Sequence, residues 1–254
     1  MHKLFMLFLA ILMLMFLGSN AYANSPDVNV KLGHFKLTET TTSLLGAEAA
    51  KNYKEIIRKS AKISWKVYVP ETYSPDKPPG VMVFVSPINS GKIPKKWVKT
   101  MADRNLIWIS ANKSGNGINS HKRIAFAAFA VAAISKSYQI DESRVYVSGF
   151  SGGGRIASLV STEYPQIFKG AIYICGANFW GRDEPENFDL VKANRYVFIT
   201  GKRDFNYGNS KSVYGMYKRA NIDSVYFYDI PNLKHELPDA MSLDKALQFL
   251  ETGN

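Results

Sequence analysis

Residues 144–154 read Arg144-Val145-Tyr146-Val147-Ser148-Gly149-Phe150-Ser151-Gly152-Gly153-Gly154. The stretch opens as a short apolar run rich in Val and Tyr, the signature of a buried strand. It then breaks into Gly-x-Ser-x-Gly centred on Ser151, and residues 155–161 take up helical spacing. A serine on a sharp turn between strand and helix is held with its hydroxyl exposed. Its neighbours two before and two after must be small for the chain to turn so tightly. Gly149 and Gly153 meet that need. Gly152, directly after the serine, can aim its backbone N–H at negative charge developing on a reacting oxygen. The stretch predicts strand, turn and helix in succession, with Ser151 as a nucleophile and Gly152 as one oxyanion donor.

The sequence on either side repeats the same alternation. Upstream, Val81 to Val85 is continuously apolar, as expected of a strand covered on both faces. A loop follows at Ser86–Gly91, and a helix is expected over Ile93–Arg104 with Trp97, Val98 and Met101 buried. Leu106–Ser110 reads as the next strand, Ala111–Ser120 as a polar loop, and His121–Tyr138 as a long Ala-rich helix packed on the sheet. Downstream come a strand over Lys169–Cys175, a long loop over Gly176–Leu190, and a strand over Arg195–Thr200. A helix through Val213–Tyr217, a strand over Val225–Ile230 and a closing helix over Leu243–Leu250 complete the pattern. Before residue 81, Val30–Leu37 alternates like an edge strand, Leu45–Ser60 holds a helical stretch, and Ile63–Val69 reads as a strand with one buried face. This alternation predicts an α/β fold with a mostly parallel central sheet and helices on both faces.

In such a sheet, function gathers at the carboxyl ends of the strands. Ser151 follows one strand, Asp204 a later one, and His235 the last. His235 is also the only histidine after Ser151. These types fit together chemically. A neutral serine hydroxyl is a weak nucleophile, so His235 is expected to take its proton and later return one to the leaving group. Asp204 is expected to fix the imidazole tautomer and stabilise its cation. Asp204 follows a strong apolar strand by a short turn, which favours it over its rivals: Asp183, Glu184, Glu186 and Asp189 in the long loop, and Asp229 in the last strand. A second oxyanion donor is expected from the loop after the third strand. Pro87 has no N–H, which leaves the backbone of Ile88 or Asn89. Trp180, in the long loop, is a candidate for lining the substrate pocket or, alternatively, for anchoring the loop.

Composition narrows the field further. The chain has 254 residues, enough for one large α/β domain, with 46% apolar and 21% charged residues. Its single cysteine, Cys175, excludes a disulfide within the chain. Four scattered histidines give no metal-ligand spacing. The net charge of +11 is unaccompanied by any nucleic-acid motif, so no nucleic-acid partner is expected. Lys3, the apolar run Leu4–Leu17 and the small-x-small site Ala21-Tyr22-Ala23 have the three parts of a secretory signal peptide. Residues 1–23 are therefore expected to be removed, leaving 24–254 as a single domain that is secreted or periplasmic, without a membrane anchor.

Residues 141–153 resemble the α/β-hydrolase superfamily, and most closely secreted esterases similar to polyhydroxybutyrate depolymerases and feruloyl or acetylxylan esterases. Gly201-Lys202-Arg203-Asp204-Phe205 and Pro231-Asn232-Leu233-Lys234-His235-Glu236 are similar to that group's acid and histidine segments. The likeness covers most of residues 63–251. It implies the α/β-hydrolase fold and hydrolysis of a small-molecule or polymer-attached ester, without cofactor or metal. The chain departs from the pattern at two places. Ser86-Pro87 stands where His-Gly is usual, and Lys234 stands where Gly usually precedes the histidine. Two other readings compete: a serine peptidase on the same fold, expected to carry an extra access-restricting domain, and a non-catalytic binding protein that retains the fold.

Overall fold

The computed structural model describes residues 30–254. The expected signal peptide lies outside the described residues. The strands are β1 (Gly33–Thr40), β2 (Lys62–Val69), β3 (Gly80–Val85), β4 (Leu106–Ala111), β5 (Val145–Phe150), β6 (Gly170–Ile174), β7 (Arg195–Thr200) and β8 (Val225–Asp229). They form one eight-stranded sheet in the order β1-β2-β4-β3-β5-β6-β7-β8. β1 and β2 run antiparallel to their neighbours, and every pair from β4 to β8 is parallel. The fold is that of an α/β-hydrolase.

The helices are α1 (Thr41–Ala50), α2 (Val98–Asp103), α3 (Ser120–Ser135), α4 (Gly152–Glu163), α5 (Phe188–Ala193), α6 (Tyr207–Arg219) and α7 (Ala240–Thr252). The strand side chains separate with period two into two cores. Val81, Val83, Ile107, Ile109, Val145 and Val147 pack with α1, α3 and α4. Met82, Trp108, Tyr146, Ile172 and Val197 pack with Trp97, α2 and α7 on the opposite face. Coverage of both faces explains why β3 and β6 are unbroken apolar runs and β4 is broken only by Ser110, whereas edge strand β1 alternates. On α3, Ala125, Ala127, Ala128, Ala130 and Ala133 are all buried. These small side chains let α3 lie close enough for Trp65 Nε1 to donate to Phe126 O at 3.0 Å. No helix among the described residues is long and apolar enough to cross a membrane.

Three local expectations need correction. The stretch expected as one helix over Ile93–Arg104 is a 3₁₀ turn at Lys95–Trp97 followed by α2, with Pro94 holding the preceding chain extended. The early helix starts before Leu45, because Thr40 and Ser43 form a reciprocal cap. It is also kinked at Gly46, where φ is 77°. The long loop after β6 ends in α5, a six-residue helix that gives little periodic signal.

Candidate active site

Ser151 sits between β5 and α4 with φ 56° and ψ −121°, a backbone region that L-residues rarely occupy. The surroundings hold it there. Ser151 N–H donates to Ile174 O on β6 at 2.8 Å, and Ser151 O accepts from Arg155 N at 3.1 Å. The flanking glycines are required by close backbone approach. A Cβ at Gly149 would lie 2.3 Å from Gly153 O, and one at Gly153 would lie 1.9 Å from Val85 O. Gly152 opens α4, so its N–H has no carbonyl one turn earlier in the helix to bond.

Asp204 lies in the tight turn after β7, closed by its N–H to Gly201 O at 2.8 Å. Its side chain is fully buried. Oδ1 accepts from Asn206 N at 3.0 Å and pairs with His235 Nδ1 at 2.8 Å, and Oδ2 accepts from Thr200 Oγ1 at 2.8 Å. Burial alone raises its pKa. Hydrogen bonds from Asn206 N–H, His235, Thr200 and Cys175 outweigh that and hold it below the ordinary carboxylate value. The carboxylate is therefore ionised at neutral pH.

His235 lies in the loop after β8. Its Nε2 is 2.8 Å from Ser151 Oγ, so the imidazole bridges the serine and the aspartate. The rings of Phe150 and Phe205 lie 4.9 and 4.0 Å from it, and Phe205 is 78% exposed. Cys175 directly follows β6 at φ 53°, with its thiol 3.8 Å from Lys234 O and 3.6 Å from Glu236 O. It thus braces the backbone on either side of His235. Asn206 links the same elements: Nδ2 donates to Cys175 O at 2.9 Å, and Oδ1 accepts from Arg155 Nη2 at 3.0 Å.

The structure thus brings Ser151, Asp204 and His235 together, and leaves Asp183 and Glu184 exposed on the long loop. Sequence reading missed Thr200, Asn206, Cys175 and Phe205. Nothing local marks them, since their partners lie up to dozens of residues away. Histidine spacing also gave no hint that Cys175, Asp204 and His235 present ligand-type atoms within 4.8 Å of one another. The chemistry of this donor set does not favour a metal. Burial pushes the Cys175 thiol pKa up and keeps it protonated, and the carboxylate already holds several donors.

On the oxyanion side, the loop after β3 is laced to the loop after β4. Asn89 Oδ1 accepts from Gly115 N and Asn89 O from Lys113 N, both at 3.0 Å. Buried Arg123 donates to Ser86 O at 3.0 Å. Ile88 N–H is already turned toward Ser86 Oγ at 3.2 Å, whereas Asn89 N–H makes no hydrogen bond among the described residues. Trp180 packs its ring against Phe179, Phe188 and the fully buried Tyr217, at centroid distances of 3.8, 5.8 and 5.1 Å. Those contacts anchor the long loop on the core.

Comparison with known proteins agrees with this architecture. A model of the prolyl oligopeptidase family matches residues 101–221, the segment that holds Ser151 and Asp204. No curated protein matches the chain in a sequence comparison. Among solved structures, the feruloyl esterase module from Clostridium thermocellum complexed with sinapinate superposes with a TM-score of 0.64 at 14% identity, covering 91% of this chain and 94% of that one. A thermostable esterase gives 0.56 at 16% identity over 74% of this chain, which spans 56% of that protein's length. Porphyromonas gingivalis dipeptidyl peptidase 4 gives 0.55 at 16% identity over 76% of this chain and 34% of its own. The chain has the α/β-hydrolase fold.

Proposed function

We propose that this protein is a secreted carboxylic ester hydrolase that works through an acyl-enzyme, with Ser151 as nucleophile, His235 as base and acid, and Asp204 as the orienting acid. One observation carries the reading: His235 makes 2.8 Å contacts with both Ser151 Oγ and Asp204 Oδ1 through its two ring nitrogens. Asp204 accepts a hydrogen bond from Nδ1–H, which keeps the proton on Nδ1 and leaves the Nε2 lone pair facing the serine hydroxyl. As Oγ attacks the ester carbonyl carbon, its proton passes to Nε2 and the carbonyl oxygen becomes an oxyanion near Gly152 N–H. Collapse breaks the bond to the alcohol oxygen, which leaves with the proton from Nε2. Water then gives a proton to Nε2, attacks the acyl carbon and releases the acid, and Oγ recovers its proton. Exposed Phe205, its ring 4.0 Å from that of His235, offers apolar contact beside the reacting centre, which suits an acyl or aryl group on a small or polymer-attached ester. The sinapinate complex of the feruloyl esterase module is in keeping with that substrate class.

The prolyl oligopeptidase match favours a second reading, a peptidase using the same three residues. Turnover of short p-nitrophenyl esters against dipeptide anilides separates the two. Ester turnover is expected to dominate, and the reverse order would assign the peptidase. Ser151→Ala should keep the thermal melt, abolish labelling by a serine-directed phosphonate and cut kcat by about 10³-fold or more. Wild-type turnover in that variant would remove Ser151 from the chemistry.

A further inference from the structure

A polar side chain that sequence reading passed over lies against the nucleophile turn. Asn116 belongs to the loop after β4. A Cβ added to Gly152 would lie 2.2 Å from Asn116 Oδ1, 2.8 Å from its Cγ and 3.0 Å from its Nδ2. The carboxamide therefore fills the space that a side chain at residue 152 would take, next to the turn that carries Ser151.

The backbone of Asn116 is fixed while its head group is free. Its N–H donates to Pro87 O at 2.9 Å, which ties it to the loop after β3. Gly115 and Lys113 add the two bonds to Asn89 already described. The carboxamide itself makes no hydrogen bond among the described residues, and the residue is exposed. Nearby asparagines differ. Asn89, Asn112, Asn178 and Asn206 each commit a side-chain atom to a protein partner. A donor held beside the nucleophile and left unpaired by the protein is available to a substrate. Of the two backbone donors expected from the loop after β3, Ile88 N–H is engaged by Ser86 Oγ, which leaves only Asn89 N–H beside the carboxamide of Asn116.

We infer that Asn116 is a catalytic residue whose Nδ2–H donates to the ester carbonyl oxygen as it becomes the oxyanion, alongside Gly152 N–H. The inference rests on the serine-ester reading given above. A side-chain donor to a developing oxyanion contributes roughly 10² to 10³ to kcat. It acts on the transition state, so kcat falls on its removal while KM changes little.

The test compares Asn116→Asp and Asn116→Ala with the wild-type protein on a short p-nitrophenyl ester. It also measures the inhibition constant of a trifluoromethyl ketone, whose serine adduct places an oxyanion in the same position. Asn116→Asp keeps the shape but replaces the donor by a negative charge, and Asn116→Ala removes the donor without adding charge, so the two together separate donation from packing and from charge. Both variants are expected to lose about 10²-fold or more in kcat, to hold KM within about threefold, and to bind the ketone more weakly by a similar factor. A kcat within about threefold of wild type in Asn116→Asp, or a loss confined to KM with unchanged ketone affinity, overturns the inference. Wild-type turnover that Ser151→Ala abolishes, with both Asn116 variants fully active, rejects this inference alone. Absence of ester turnover and phosphonate labelling in the wild type rejects the ester reading, and the inference with it.

Discussion

Replacing Asp204 by Asn removes a charge and keeps the shape of the side chain, and the hydrogen bonds around it fix what should follow. Oδ1 faces His235 Nδ1 and Asn206 N–H, both of which need an acceptor. Oδ2 faces the Thr200 hydroxyl, which can rotate from donor to acceptor. An asparagine can therefore place its oxygen toward His235 and its amide nitrogen toward Thr200, so the imidazole keeps its tautomer. What is lost is the negative charge beside the imidazolium formed during attack. With Nδ1 and Oδ1 2.8 Å apart, the charge centres lie about 4 Å apart. At an effective dielectric of about 20 the interaction is about 4 kcal/mol, which corresponds to roughly 10³ in rate. The assay is kcat on a p-nitrophenyl ester at saturating substrate, with thermal melting to confirm the fold. Asp183→Asn and Glu184→Gln, on the exposed loop, serve as controls and should stay near wild type. A kcat for Asp204→Asn within tenfold of wild type, or a collapse in either control, would refute both the electrostatic argument and the assignment of the acid.

Two other outcomes follow from single residues. Glu163, at the end of α4, makes no hydrogen bond or ion pair among the described residues, and burial raises its pKa to about 7 from 4.5. The folded state then holds this proton more tightly than the unfolded chain, so stability should fall as pH rises from about 4.5 to about 7. The gap of 2.5 pH (7 − 4.5), at about 1.36 kcal/mol per pH, is about 3 kcal/mol. Glu163→Gln should flatten that slope and be more stable than wild type at pH 8 by about 2 to 3 kcal/mol in urea titrations; equal slopes would refute the assignment. Export is tested by N-terminal sequencing of protein from the extracellular or periplasmic fraction. It should begin at Asn24, and an intact Met1 in a membrane fraction would overturn the signal-peptide reading.

Much of the fold was legible because its signals are local. Strands buried on both faces are mostly apolar, so β3, β4, β6 and β7 stand out as apolar-rich runs, and the glycines around Ser151 mark a turn no larger residue can make. Ser151, Asp204 and His235 could be proposed from their places after strands, since a parallel sheet delivers all those ends to one edge. Helix limits were less legible. Pro94, the kink at Gly46 and the short α5 are set by caps and by tertiary packing that periodicity does not report.

The sequence by itself determined the α/β class, the nucleophile turn and the histidine, because each rests on residue types and spacings within a few turns of chain. Only the tertiary structure decided which acid meets His235, because Asp183, Glu184 and Asp204 all lie on loops after strands and differ only in where those loops end in space. It also decided that Trp180 packs on Phe179, Phe188 and Tyr217, that Cys175 and Asn206 brace the histidine and aspartate, and that Asn116 lies on Gly152. The last depends on strand order: β3 lies between β4 and β5, so the loops after β3 and β4 emerge side by side next to the turn that carries Ser151. Pairing between distant strands sets that adjacency, and no local pattern of residues encodes it.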